Sequence, residues 1–176
     1  MTPNRHLVVV GLMGSGKTTL GRALAKELGR RFVDSDTALE QATGETAREI
    51  ADDEGLDRLH VLEAKVLHDT LESDEPSVVA SAASTIEDDG ARAALTNPDV
   101  GVIWLRGTPA TLAGRVTATT DGHRPSAALA AIDEQAPRRE PLYGSVADIT
   151  IDVDDLAPRD VVAAAIEALR SRRLIG

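Results

Sequence analysis

Cysteine is absent from the 176 residues. That excludes disulfides and thiolate metal sites, and it suits a reducing compartment. Aromatic residues are nearly absent too: Phe32, Trp104 and Tyr143 are the whole set. Single-stranded nucleic acid is held on aromatic platforms where bases stack, so the scarcity argues against that class of partner, and the core must be built mostly from Ala, Val, Leu and Ile. No run approaches the ~18 apolar residues of a membrane span, and the apolar stretch in MTPNRHLVVVG is too short for a secretory signal. The expectation is a soluble, cytoplasmic protein with neither a nucleic-acid nor a membrane partner.

What is present suits one compact domain over residues 1–176, since apolar residues make up 42% of a chain of ordinary domain length. The net charge of −10 is unevenly spread. Residues 1–31 hold six Lys/Arg against one acid, whereas residues 32–100 hold four against eighteen. An acidic whole disfavours polyanions, but its basic first segment permits one local anion site.

Short apolar runs alternate with helical patterns. HLVVVG (6–11), RFV (31–33), SVVAS (77–81), GVIWL (101–105) and ADITID (147–152) read as strands. A helix over about 17–28 closes at Gly29, and TALEQATG and TAREIADDEG read as two short helices ending at Gly44 and Gly55. Leu59, Leu62, Val66 and Leu71 recur at helical spacing over 57–72. Further helices are expected over 87–95, 109–118, 127–136 and 158–173. Continuous apolar strands alternating with helices imply an α/β fold in three layers, a five-stranded parallel sheet covered on both faces.

GLMGSGKT (11–18) fits G-x-x-x-x-G-K-[ST], directly after a strand and directly before a helix. Gly11, Gly14 and Gly16 let the backbone curl so that N–H groups, with Ser15 among them, face phosphate oxygens. The helix starting near Lys17 adds its positive end, with Thr19 in its first turn. Lys17 suits the β- and γ-phosphates of a nucleoside triphosphate, and the Thr18 hydroxyl suits Mg²⁺. FVDSDTALE then places Asp34 and Asp36 at the carboxyl end of the second strand, where ligands gather in open α/β sheets. Two acids there suit a water-bridged Mg²⁺ and a proton acceptor. The same Asp-Ser-Asp also suits a helix start, with Ser35 or Asp36 as the cap.

Together GLMGSGKTTLGRALAKELG and FVDSD resemble the shikimate kinase family of small P-loop kinases, and TGETAREI, WLRGTPATLAGR, HRPS and RREPLY extend the resemblance over nearly the whole chain. The resemblance implies the P-loop kinase fold, with substrate-binding helices over about 35–72 and a lid over about 115–126. It implies ATP-dependent phosphorylation of a ring hydroxyl with Mg²⁺, by a monomer or weak dimer. It makes Asp34 the Mg²⁺-associated acid, Asp36 the acid that binds substrate hydroxyls and takes the proton, and Arg124 a lid arginine closing on phosphates. It also sets Arg139, in R-x-P-L-Y, on the substrate carboxylate and Arg115 near the adenine.

Two positions depart from the family's pattern. Where it has F-R-x-x-E, this chain reads L-H-V-L-E, with His60 in place of an arginine. A neutral imidazole cannot give a guanidinium's two-pronged grip, although His60 also suits a plain surface or packing role. Where the family has Gly-Gly-Gly after the third strand, this chain has Ala82, Ala83 and Ser84. Alanine and serine stay small but resist left-handed backbone, so the turn is expected either to take another path or to carry about 1–3 kcal/mol of strain. Drift in a close-packed turn is the plainer account. ATP-side residues persist while two substrate-side positions differ, which points to a small hydroxylated acceptor other than shikimate: a sugar acid, cyclitol or polyol. ASAAS is as near to gluconate kinase as to Gly-Gly-Gly. The alternatives are a working shikimate kinase and a non-catalytic nucleotide-binding protein.

Overall fold

The computed structural model describes residues 6–119 and 125–176. Five parallel strands form one sheet in the order β2-β3-β1-β4-β5, from β1 (His6–Val10), β2 (Arg31–Asp34), β3 (Ser77–Ala80), β4 (Val100–Arg106) and β5 (Ile149–Asp152). The central strands β1 and β3 are buried at every residue, as is β4 up to Arg106. This is why they read as unbroken apolar runs: a parallel sheet covered by helices has no solvent face to alternate toward. The edge strand β5 does alternate, with Ile149 and Ile151 buried and Thr150 and Asp152 exposed.

Helix α1 (Lys17–Leu28) packs on β1, β2 and β3 and against α8 (Pro158–Ser171), which lies on β5. Between β2 and β3 the chain forms α2 (Ser35–Thr43), α3 (Ala47–Glu54) and α4 (Leu56–Leu71), which share a small core of Leu39, Ile50 and Leu59. Gly44 and Gly55 end α2 and α3 as expected, and Thr46 and Glu49 bond reciprocally in a capping box at the start of α3. After β3 come a 3-10 turn (Ala83–Glu87) and α5 (Asp89–Leu95); α6 (Pro109–Thr119) and α7 (Pro125–Val146) follow β4.

Two helix expectations need correction. The single helix over 87–95 is split, because the Asp88 side chain accepts from the N–H of Ala91 at 2.7 Å and caps α5. The helix over 127–136 runs on to Val146, through Pro137 and Pro141. An interior proline removes a helical hydrogen bond and costs on the order of 3 kcal/mol. Here Ile132, Ala136, Tyr143 and Val146 all bury against the sheet side, and that apolar face offsets the two interruptions.

Tyr143 ties α7 to the strand ends. Its ring lies 5.8 Å from that of Trp104, and its buried hydroxyl donates to the Ala83 carbonyl at 2.8 Å. Burial pushes the phenol well above its ordinary range, so it stays a donor. Tyr143→Phe is expected to cost about 1–2 kcal/mol, since it leaves a carbonyl without its partner. Denaturant unfolding of the two proteins measures this.

Candidate active site

The carboxyl ends of β1, β2 and β3 open onto a cleft of about 790 Å³. Its floor is the loop from Met13 to Gly16. Gly14 has φ +82, and a Cβ there would run into the Leu112 carbonyl oxygen; Gly16 has φ +94 and forms the left-handed entry to α1. Neither position accepts another residue without strain. No side chain caps α1, so its first-turn N–H groups, from Lys17 through Thr19, are left for a ligand. Ser15 is buried, and its hydroxyl has no partner. An orphaned buried donor beside an uncapped helix start fits an anion.

Lys17 donates to the carbonyls of Gly11 at 2.9 Å and Leu12 at 3.1 Å. The residue is half-buried, but its ammonium is sunk in the loop. That loss of water lowers its pKa to about 8, with Asp36 opposing the fall, Arg139 adding to it and Asp34 opposing it.

Asp34 serves two ends at once. One carboxylate oxygen accepts from the N–H groups of Asp36 (3.0 Å) and Thr37 (3.4 Å), and the other accepts from the Thr18 hydroxyl at 2.9 Å. The cap expected of Ser35 or Asp36 is therefore Asp34, because α2 begins at Ser35, earlier than its apolar pattern suggests. A hydroxyl against a carboxylate is also a hard-oxygen donor pair of the kind Mg²⁺ takes. Asp36 is left uncapping, with its side chain lining the cleft. Desolvation raises its pKa, Asp34 raises it further, and Lys17 opposes both.

Ala82 and Ala83 line the cleft, and the expected strain is absent. Ala82 has φ −59, and Arg173, far along the chain, is the non-glycine residue with positive φ among the described residues. The turn takes the other path. It tightens into the 3-10 turn, with Thr85 N–H bonded to Ala82 O and Ser81 to Thr85 through their hydroxyls at 2.7 Å. Ser84 points its hydroxyl at Glu63 of α4 and donates a hydrogen bond to its carboxylate.

Glu63, the final residue of L-H-V-L-E and a match to the last position of F-R-x-x-E, is a site residue that the sequence does not single out on its own. It is buried, lines the cleft and lies within the field of Asp36. Burial raises its pKa; the Ser84 bond and His60 lower it, Asp36 raises it and Arg139 lowers it. A signal was available, since Glu63 falls four residues from both Leu59 and Leu67 on the buried face of α4. A carboxylate held above its ordinary pKa destabilises the fold wherever it is ionised. That cost begins as pH rises through the ordinary 4.5 and is complete above the raised value. Glu63→Gln is expected to raise the melting temperature at neutral pH by about 2–4 °C, and to leave it unchanged well below pH 4.5. A melting series across that range checks the sign.

Arg139 is buried and engaged. Its guanidinium donates to Gln135 at 3.0 Å and pairs with Glu87 at 3.4 Å, while its Nε–H has no partner. Glu87, the last residue of the 3-10 turn, also binds Arg138 at 2.5 Å. No sequence signal links residues 87 and 139. His60 is half-buried on α4, outside the cleft lining. Arg115 lines the cleft from α6 and donates to the carbonyls of Val153 (2.5 Å) and Leu156 (3.4 Å). Arg124, with residues 120–123 of the expected lid, lies outside the described residues.

A family model described as shikimate kinase matches residues 13–170. The chain belongs to the shikimate kinase family. It is 36% identical over 171 residues to the shikimate kinase of Symbiobacterium thermophilum, covering 95% of this chain and 97% of that one. It is 32% identical to the shikimate kinase of Vibrio parahaemolyticus, covering 98% and 100%. Among solved structures, the shikimate kinase of Acinetobacter baumannii in complex with shikimate superposes with a TM-score of 0.84 at 30% identity, over 97% and 95% of the two chains. A gluconokinase from Sinorhizobium meliloti superposes with a TM-score of 0.69 at 25% identity, over 96% and 93%. The chain is thus a shikimate kinase-like, ATP-dependent small-molecule kinase with the family's P-loop fold.

Proposed function

We propose that the protein transfers the γ-phosphate of ATP to a hydroxyl of a small polar metabolite other than shikimate: a sugar acid, a cyclitol or another polyol. The observation that carries this is the path of Ala82–Ser84 into the 3-10 turn (Ala83–Glu87). It places a serine hydroxyl on Glu63 where the family's pattern has bare glycine, beside a helix with His60 in place of an arginine.

In this mechanism the loop N–H groups, Ser15 and Lys17 hold the phosphates and keep the γ-phosphorus in place. Thr18 and Asp34 would hold Mg²⁺, which supplies charge neutralisation on the phosphate oxygens when bound. Asp36 accepts the acceptor's hydroxyl proton as the oxygen attacks, and its raised pKa makes it a better base than an ordinary aspartate. On this reading Arg115 serves the nucleotide, Arg124 the lid, and Arg139 and His60 the acceptor. The protein works as a cytoplasmic monomer or weak dimer.

A second reading, shikimate as the acceptor, is favoured by the retained Arg139 in R-x-P-L-Y and by the names of the relatives. A coupled ADP-release assay across shikimate, gluconate, cyclitols and polyols separates the two. Robust turnover of shikimate at sub-millimolar concentration overturns the first reading and establishes the second. ATP binding without turnover on any acceptor overturns both.

A further inference from the structure

The two-pronged edge of a guanidinium is filled in Arg106 and nearly idle in Arg139. Arg106 gives Nε and Nη2 to the two oxygens of Asp152, at 2.5 and 2.9 Å. That is the side-on grip by which an arginine holds a carboxylate. In Arg139 the Nη1 is settled on Gln135 at 3.0 Å, but Nη2 reaches Glu87 only at 3.4 Å and the Nε–H has no partner. Direct N–H···O bonds lie at about 2.7–3.2 Å, so this edge carries one long contact where Arg106 has two close ones. The Arg139 side chain is 6% exposed, and a guanidinium that buried needs an anion at hand. Its charge acts on Lys17 and Glu63, which line the cleft, although Arg139 is not itself among the lining residues.

Glu87 supplies that anion, and it has a second partner. Its other oxygen accepts from Arg138 Nε at 2.5 Å, so one carboxylate is shared between neighbouring arginines, with the closer bond on Arg138. Arg138 is half-exposed and binds Glu134 through Nη1 at 3.1 Å; no described residue takes its Nη2. The last torsion of a glutamate side chain turns easily. A turn there moves the second Glu87 oxygen from Arg139 to Arg138 Nη2, and completes on Arg138 the grip that Arg106 shows. Arg139 then takes its counter-charge from another carboxylate. Glu87 ends the 3-10 turn whose first residue, Ala83, lines the cleft, which sets this exchange against the cleft wall.

We propose that Glu87 is a built-in competitor for the acid group of the acceptor: it covers the two-pronged edge of Arg139 and yields it by passing to Arg138. This rests on the kinase reading above, in which Arg139 serves the acceptor, and deepens it toward acceptors that carry a carboxylate. Only a group able to make the full two-pronged grip displaces Glu87, so neutral polyols gain nothing from Arg139. Glu87 sets how tightly an acid acceptor binds and touches no reacting atom.

The test uses the full chain with Mg-ATP, reads ADP release, and takes gluconate and shikimate as acid acceptors and glucitol as a neutral one. Glu87→Gln keeps the shape and removes the competing charge. It is expected to lower the KM of an acid acceptor about three- to tenfold, because a binding group that is only partly available weakens apparent affinity by that fraction. The KM values for glucitol and ATP are expected to stay put. A residue that only propped Arg139 in place would give the opposite sign, a raised KM. Arg138→Met removes the second partner and is expected to raise the acid acceptor's KM several-fold. Arg138 is half-exposed, so this variant carries the test should Glu87→Gln not fold. In the double variant the rise is expected to disappear, the mark of two residues acting through one contact. An acid KM raised or unmoved in Glu87→Gln, one unmoved in Arg138→Met, or turnover of neutral acceptors alone overturns the proposal and leaves the kinase reading standing. No ADP release with any acceptor overturns the kinase reading, and this proposal with it.

Discussion

Lys17→Ala is expected to lower kcat by at least about 10³-fold, the scale set by removing a preorganised charge from a developing transition state. The loop supplies N–H dipoles from several residues, but Lys17 is its one full charge, and it already sits on the Gly11 and Leu12 carbonyls. Its pKa of about 8 shows an ammonium short of water, and bound phosphate would supply the counter-charge. ATP binding is therefore expected to draw up protons near that pH, visible as a buffer-dependent binding enthalpy that disappears in the alanine variant. Single-turnover kinetics with matching circular dichroism gives the main result. Near-normal turnover in a folded variant would remove Lys17 from the chemistry.

Asp36→Asn is expected to lower kcat by about 10²- to 10⁴-fold, the range for loss of a positioned base. The substitution keeps the size and should leave α2 in place, because the cap belongs to Asp34. The pH profile discriminates between roles. Burial and the nearby Asp34 raise the Asp36 pKa, so the acidic limb of kcat/KM in the wild type is expected above the ordinary aspartate value of 3.8. The carboxylate is protonated and inactive below that limb and works above it. In the asparagine variant the limb is expected to vanish along with most of the rate. An unchanged limb would assign it to another group.

The phosphate loop was legible because its chemistry is local. Glycines, lysine and threonine lie within eight residues, and β1 and α1 on either side fix their geometry. The central strands were legible for a similar reason, as burial on both faces writes continuous apolar runs. Glu63 was half-legible, an acid among leucines on one helix face. The Arg139–Glu87 pair was not, because 52 residues separate its members and only tertiary packing joins them. The length of α7 was hidden by its prolines, whose local meaning is to stop a helix and whose cost is offset by contacts that a window cannot see. At Ala82–Ser84 the small residues signalled close approach, but the choice between a strained loop and a 3-10 turn depended on Tyr143 and Glu63 arriving from elsewhere.

The double duty of Asp34 has a practical side. Asparagine caps a helix about as well as aspartate does, so Asp34→Asn keeps the bonds to the N–H groups of Asp36 and Thr37 while taking the charge from beside Thr18. Alanine removes both. Comparing the two variants separates what this residue does for architecture from what it does for the nucleotide's cation.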